Sequence, residues 1–358
     1  MSSPVQPTSL AALAAAVRSA PRVIAVGAGT KPRLSAAEGL RISTTRLSGL
    51  VEYEPDEFTF TALAGTPLRE IATALASCGQ HLPFDPPMVA AGATLGGTVA
   101  AGLSGPGRVR FGGLRDFILG VRFVDGLGRL LHLGGKVVKN AAGFDVPKFL
   151  CGSLGRFGVL GEITFKVFPR PPALRTLRLR ADGPGERLRI FRALGRSRWE
   201  PVAVEGVPGS HDVWVQLGGA AAALDAMAQD ILGQFPGVRE IEGADLLDGL
   251  REFTWAPPDA ILVKVPVTPG DTVPLSPALD AIPGVRHQVG AAGAVVWMAL
   301  EHFGAVSAVR AVLERHGLDG LTLRGDAPLW WSSLPRPAVE SAVRLALDPA
   351  HRFPDLGS

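Results

Sequence analysis

Three glycine-rich stretches are the places where this chain could do chemistry. The first, Val26, Gly27, Ala28, Gly29, Thr30 and Lys31, follows an apolar run. Successive glycines there let backbone N–H groups point at a phosphate. The pattern does not complete a G-x-G-x-x-G fingerprint, because Pro32 holds the place of the third glycine and cannot pack closely at a helix start. Taken alone, that loop reads better as a tight turn after a core strand than as a phosphate site. The second stretch, Gly92, Ala93, Thr94, Leu95, Gly96, Gly97 and Thr98, presents glycines and two hydroxyls where helical or strand periodicity is weak. It is no Walker A loop, since Gly97 stands where the lysine belongs. Two separated loops that each supply part of the hydrogen bonds to one anionic group account for both stretches better than two unrelated turns. The third runs from Gly152 to Val159, with Gly155 and Gly158 leaving bare backbone beside a strand. Cys151 replaces the glycine of a G-x-S-x-G elbow, so Ser153 is not a hydrolase nucleophile.

Other chemistries find little support. Cys78 and Cys151 are the only cysteines, too few for a disulfide scaffold or an iron–sulfur cluster. Cys78 and His81 have a ligand-like spacing without a second pair, so no metal site is expected and Cys78 reads as a core thiol. The adjacent Trp330 and Trp331 read as packing residues. A net charge of +3 is too small for a protein that tracks nucleic-acid phosphates, despite a pI near 9.1. With 47% apolar and 19% charged residues among 358, the chain can bury a large core. Leu10 to Val17 lacks a preceding Lys or Arg and reads as a helix rather than a secretory signal. No apolar run reaches the ~18 residues of a membrane span. A soluble, cytoplasmic protein in a reducing compartment is the expectation.

The elements that must position the loops are legible in part. Helix Leu10–Val17 leads into strand Val23–Val26, and Leu50–Glu54 with Phe58–Ala64 form a hairpin. Thr66 as N-cap, Pro67 at the first helical position, an apolar stripe and Gly79 bound the next helix. The long Leu82–Gly113 stretch is irregular apart from a short helix over Gly97–Leu103, and so long a loop is more often functional than not. Ile118–Val124 and Arg129–Leu133 form a hairpin, and Val159–Phe168 is a further strand. Pro169, Arg170, Pro171 and Pro172 then mark a boundary. Beyond it, strands at 174–179, 213–217, 260–265 and 295–300 interleave with helices at 186–194, 222–232 and 305–316, the pattern of a ferredoxin-like α+β sandwich.

With these residues in view, the segment from Leu10 to Pro172 resembles the FAD-binding domain of the vanillyl-alcohol-oxidase (PCMH) type, and within it the E subunits of bacterial glycolate oxidases. The stretches that carry the resemblance are VGAGTK at 26–31, LVEYEP at 50–55, AGTPL at 64–68, HLPFDPP at 81–87, GATLGGTVAAGLSGP at 92–106, LRDFILGV at 114–121, GGKVVKNAAGFDV at 134–146 and GSLGRFGVLGEI at 152–163. It implies an α+β fold: a two-lobed FAD domain over residues 1–172, a ferredoxin-like cap over 173–333, and a C-terminal segment, 334–358, returning to the FAD domain. By the same resemblance the cofactor-binding residues are Val26, Gly27, Ala28, Gly29, Thr30, Lys31, Pro87, Gly92, Ala93, Thr94, Gly96, Gly97 and Thr98. To these it adds Gly105, Arg110 and Gly112 near the flavin ring, Gly155, Gly158 and Val159 at the adenosine end, and Ile163. The first loop has no His for a covalent attachment, so noncovalent FAD is implied.

The resemblance implies an oxidoreductase subunit that turns glycolate into glyoxylate beside a glycolate-oxidising flavin subunit and an iron–sulfur subunit. A small 2-hydroxy acid is then the substrate, nucleic acid is no partner, and any membrane association is peripheral, through the complex. A stand-alone dehydrogenase of another 2-hydroxy acid or a sugar lactone stays open, as does a structural subunit with a vestigial flavin site. The chain departs from the family at Phe144, where a tyrosine is usual, and in the tail from Leu347 to Gly357, which lacks the FNPG ending.

Overall fold

The structure, a computed structural model, describes residues 3–135, 145–241, 246–332 and 338–355. Most of GGKVVKNAAGFDV, including Phe144, lies outside the described residues. The chain divides into two compact units. One comprises Met1–Ser104, Gly113–Arg170 and Leu334–Ser358, the other Gly105–Gly112 and Pro171–Ser333.

In the first unit, helix α1 (Leu10–Arg18) is capped by the Ser9 hydroxyl, which accepts from the Ala12 N–H, and it buries Leu13, Ala14, Ala16 and Val17. Strands β1 (Val23–Val26) and β2 (Leu40–Ser43) pair in parallel. Strands β3 (Leu50–Glu54) and β4 (Thr59–Leu63) form the expected hairpin, turning through Phe58 in the left-handed region at φ 53. Helix α2 (Leu68–Ser77) begins one residue later than expected. Pro67 occupies the cap position, while the fully buried Thr66 hydroxyl donates to the Leu63 carbonyl and accepts from the Gly49 N–H, tying the strand end to β3 instead of capping the helix. Cys78 is exposed, not a core thiol, because the chain leaves the helix at that residue and carries it off the buried stripe. Two-residue β5 (Gln80–His81) follows.

Helix α3 (Leu95–Ala101) lies earlier than the Gly97–Leu103 expectation: the Thr94 hydroxyl accepts from the Gly97 N–H to start it, and Gly102 at φ +62 ends it. The short α4 (Arg108–Phe111) belongs to the second unit. Strands β6 (Ile118–Val124) and β7 (Leu130–Gly134), helix α5 (Val146–Leu150), strand β8 (Val159–Lys166) and two-residue β9 (Phe168–Pro169) complete this part. The antiparallel sheet has the order β3-β4-β8-β6-β7, and β9 closes on β5.

The second unit contains the ferredoxin-like pattern twice. Strand β10 (Ala173–Leu179), helix α6 (Pro184–Gly195), strands β11 (Ala203–Gly206) and β12 (Val213–Gly219), helix α7 (Ala221–Gln234) and strand β13 (Arg239–Glu240) form the first repeat. After α8 (Leu246–Arg251) come β14 (Ile261–Pro266), α9 (Thr272–Asp280), β15 (Val285–Gly290), β16 (Val295–Leu300), α10 (Ala305–Arg315) and β17 (Leu321–Arg324). The sheet orders, β11-β12-β10-β13 and β15-β16-β14-β17, are the same order in repeat terms, and every pairing is antiparallel.

The repeats share one core, in which Val204, Val215, Val289 and Val296 sit at matching positions, and Trp331 is buried there with its Nε1–H donated to Thr322. They meet where β11 lies beside β15. Glu205 is 3% exposed and accepts from Gln288 Nε2 at 2.6 Å and from the Ala291 N–H at 2.8 Å. Its counterpart in the second repeat is Gly290, where a Cβ would come within 2.8 Å of Glu205 Oε2. The seam therefore holds one acidic side chain and a glycine where two side chains would collide. Across the helical layer, Arg187 of α6 donates to Ser276 of α9.

Helix α11 (Ala338–Leu347) and the tail return to the first unit. Buried Asp348 accepts from the Arg352 and Phe353 N–H groups, Val23 donates to the Arg352 carbonyl, and Phe353 packs into the core with Leu13, Val17 and Val23.

Candidate functional site

A cleft in the first unit opens where the end of β1, the start of α3 and the loop before β8 converge. It is lined by Val26 to Lys31 from the first glycine loop, by Thr94, Gly96 and Gly97 from the second, and by Gly155, Gly158 and Val159 from the third. The three stretches singled out by composition thus meet at one place.

The loops differ in what they leave free. Among the described residues, the N–H groups of Ala28, Gly29 and Thr30 donate to no other atom of the chain. Gly29 at φ +74 takes the left-handed conformation that turns successive amides the same way. At the start of α3, by contrast, the Leu95 N–H goes to the Thr66 carbonyl, the Gly96 N–H to the Ala64 carbonyl at 2.7 Å, and the Gly97 N–H to the Thr94 hydroxyl at 3.3 Å. The second loop therefore lends shape and hydroxyls, while the first lends amides. A Cβ on Gly27 would lie 2.5 Å from Thr94 Oγ1, so the absence of a side chain there is what lets β1 approach α3. A Cβ on Gly96 would instead strike Ala64, at 2.7 Å from its Cβ and 2.9 Å from its carbonyl oxygen, which makes Gly96 a packing residue.

One charged group fits an anion in this cradle. Lys31, 7% exposed, donates from Nζ to the Thr30 hydroxyl at 3.0 Å. Free amides and a buried ammonium around a glycine-walled cleft suit a diphosphate. Thr44 and Ser35 also line the cleft and escaped the sequence reading, because the four-residue β2 that carries Thr44 in shows no alternation. Its hydroxyl reaches toward the Val26 carbonyl at 3.5 Å.

The remaining expected residues lie elsewhere. Thr98 is off the cleft wall, as are Pro87, Gly92 and Ala93. Gly92 makes a turn with Val89, and the Ala93 carbonyl accepts from the Leu68 N–H, so this pair anchors α2 and α3 to each other. Ile163 is fully buried in the sheet between β4 and β6. Gly105, Arg110 and Gly112 belong to the second unit, where Arg110 pairs with Glu200 and Gly112 ends α4.

Residues 3–134 match the family of the FAD binding domain. The chain carries an FAD-binding domain. Glycolate oxidase subunit GlcE of Escherichia coli (strain K12) is 41% identical over 189 residues, 52% of this chain and 52% of that protein. D-2-hydroxyglutarate dehydrogenase of Xanthomonas citri pv. viticola is 31% identical over 195 residues, 52% of this chain and 41% of that protein. The chain thus spans about half the length of the curated relatives it matches. A solved alkyldihydroxyacetonephosphate synthase superposes with a TM-score of 0.72 over 97% of this chain and 75% of the other, at 16% identity, and shares the fold. FAD is accordingly the cofactor of this domain. Among the described residues no group of three His, Cys, Asp or Glu side chains could hold a metal ion, and no helix is long and apolar enough to cross a membrane.

The second unit carries a pair of unpaired cations. Lys264 on β14 feels the charge of Arg108 of α4, and neither forms an ion pair or a side-chain hydrogen bond among the described residues. Burial first, and the Arg108 guanidinium second, push the Lys264 ammonium down to about 8.

Proposed function

We propose that this chain is the FAD-binding subunit of a glycolate oxidase complex that converts glycolate to glyoxylate. Noncovalent FAD is held in the glycine cleft. The observation that carries this reading is the convergence of three glycine loops, one with free amides, inside a domain that matches the FAD-binding family and is 41% identical to a glycolate oxidase subunit. The N–H groups of residues 28–30 and the Lys31 ammonium take the pyrophosphate, and the backbone at Gly155, Gly158 and Val159 takes the adenosine end. When bound, the flavin supplies an electron carrier. A second, glycolate-oxidising flavin subunit and an iron–sulfur subunit are the proposed partners, and the latter takes the electrons onward.

The test is anaerobic glycolate addition to the copurified complex, built with the wild-type chain or with Gly27→Ala. The variant complex should contain less flavin by this chain's share and transfer electrons to its iron–sulfur subunit at least tenfold more slowly. Full transfer without this chain's FAD would refute the reading. Rapid bleaching of the isolated chain by glycolate would make it a stand-alone dehydrogenase instead.

A further inference from the structure

The two ends of the glycine cleft differ in character. At the level of Gly27, β1 meets the start of α3: a Cβ on Gly27 would lie 3.5 Å from the Gly97 Cα, and the loop that leaves this point carries the free amides and the Lys31 ammonium. Two residues earlier, Ala25 meets the third loop instead, where a Cβ on Gly155 would lie 3.1 Å from the Ala25 Cβ. The wall at that end is apolar. Leu154 precedes Gly155, Val159 packs in one cluster with Ala25, and Leu34 and Leu160 also line the cleft.

Ser35 is the polar side chain that interrupts this wall. It ends the helical turn Pro32–Ser35 that follows Lys31, lines the cleft and is 9% exposed. Its Oγ lies 3.5 Å from the Pro32 carbonyl and 3.4 Å from Arg41 Nη2, both at the outer limit of a hydrogen bond. The hydroxyl therefore keeps a proton to donate and a lone pair to offer, and a buried hydroxyl so weakly partnered is costly unless a ligand completes it. Arg41 fixes where that hydroxyl stands. It lies on β2 in register with Ile24, next to Ala25, and donates from Nη1 to the Ser35 carbonyl at 3.0 Å. Among the described residues Arg41 forms no ion pair, so its guanidinium is committed to Ser35. These bonds set Ser35 beside the Ile24–Ala25 end of the cleft, away from the amides of residues 28–30.

We infer that the Ser35 hydroxyl hydrogen-bonds the adenosine half of FAD, and that Arg41 is the positioning residue that holds it there. The inference rests on the reading of this cleft as the FAD site and adds a side-chain contact to the backbone at Gly155, Gly158 and Val159.

The test is calorimetric titration of the full-length apoprotein with FAD and with ADP, which shares the adenosine and the pyrophosphate but has no flavin. Both should bind the wild type in competition for one site. Ser35→Ala should weaken both by the same factor, about fivefold, as the loss of one hydrogen bond does. Arg41→Gln should weaken both similarly, and the double variant should bind no worse than Arg41→Gln alone, because Arg41 acts through Ser35. The melting temperature of apo Ser35→Ala should match the wild type; a lowered one would make Ser35 a packing residue and overturn the inference. Unchanged affinity for both ligands in Ser35→Ala would equally overturn it, and a loss confined to FAD would put Ser35 at the flavin end and do the same, while FAD binding itself stands. Additive losses in the double variant would overturn the positioning by Arg41. A wild-type chain that binds neither ligand would instead sink the functional reading, and this inference with it.

Discussion

Gly27 and Gly96 look alike in the sequence and do different work. Replacing Gly27 by Ala puts a Cβ 2.5 Å from Thr94 Oγ1, the oxygen that caps α3, so the cleft narrows and the cap is disturbed at a cost of about 1 kcal/mol. FAD affinity should fall at least tenfold while the fold persists, measured by FAD titration of the apoprotein. Gly96→Ala meets the backbone of β4 instead and should lower the stability of the first unit by about 2 kcal/mol in a denaturant titration. Lys264, with its ammonium near 8, is charged at neutral pH and loses that charge as pH rises through about 8. The unfolded chain keeps that proton up to about 10.5, so stability rises between about pH 8 and 10.5, and Lys264→Met should flatten that rise in denaturant titrations. His287 is pushed down to about 4, first by burial, against an ordinary 6.5. As pH falls from 6.5 toward 4 the unfolded chain takes up a proton that the folded His287 refuses, so stability declines, by roughly 3 kcal/mol at most. The acid limb of the stability profile should be shallower in His287→Gln.

At the scale of elements, the tail shows how a segment distant in sequence becomes part of the FAD unit. The Arg352 carbonyl continues the hydrogen bonding of β1, the strand that delivers Gly27, and Phe353 fills the core beneath it. Phe353→Ala should cost about 3 kcal/mol and weaken FAD retention as a consequence, read by thermal denaturation with and without added FAD. The family resemblance implied this return, but the tail's own residues show no pattern for it, because its contacts are made by backbone groups and one aromatic. Periodicity disclosed α1, the β3–β4 hairpin and β8, whose apolar residues face a core on a regular repeat. It did not disclose β2, β11 or β17, four residues each and too short to alternate, nor α9, whose interior Pro277 disguises a helix. Thr66 misled in a specific way: its type and place are those of a cap, but a fully buried hydroxyl was worth more tying β3 to the strand end.

At the scale of the molecule, the glycine loops were legible because bare backbone is costly to keep and its spacing is visible in one dimension. The convergence of the first two on one anionic group was inferable because neither loop alone supplies enough hydrogen bonds, and both line one cleft. The duplication of the cap was hidden. Strand order is preserved between the repeats while the side chains have diverged, as far as Glu205 facing Gly290 across the seam.

The central claim is that FAD lies on the amides of the first loop, against the wall made by Gly27 and Thr94. Its most direct test is amide hydrogen exchange on the apo chain with and without FAD. The account predicts that protection appears at residues 28–30 on FAD addition, that α3 changes little because its N–H groups are already bonded, and that the change vanishes in Gly27→Ala. FAD bound at full stoichiometry while those three amides exchange as freely as before would contradict it.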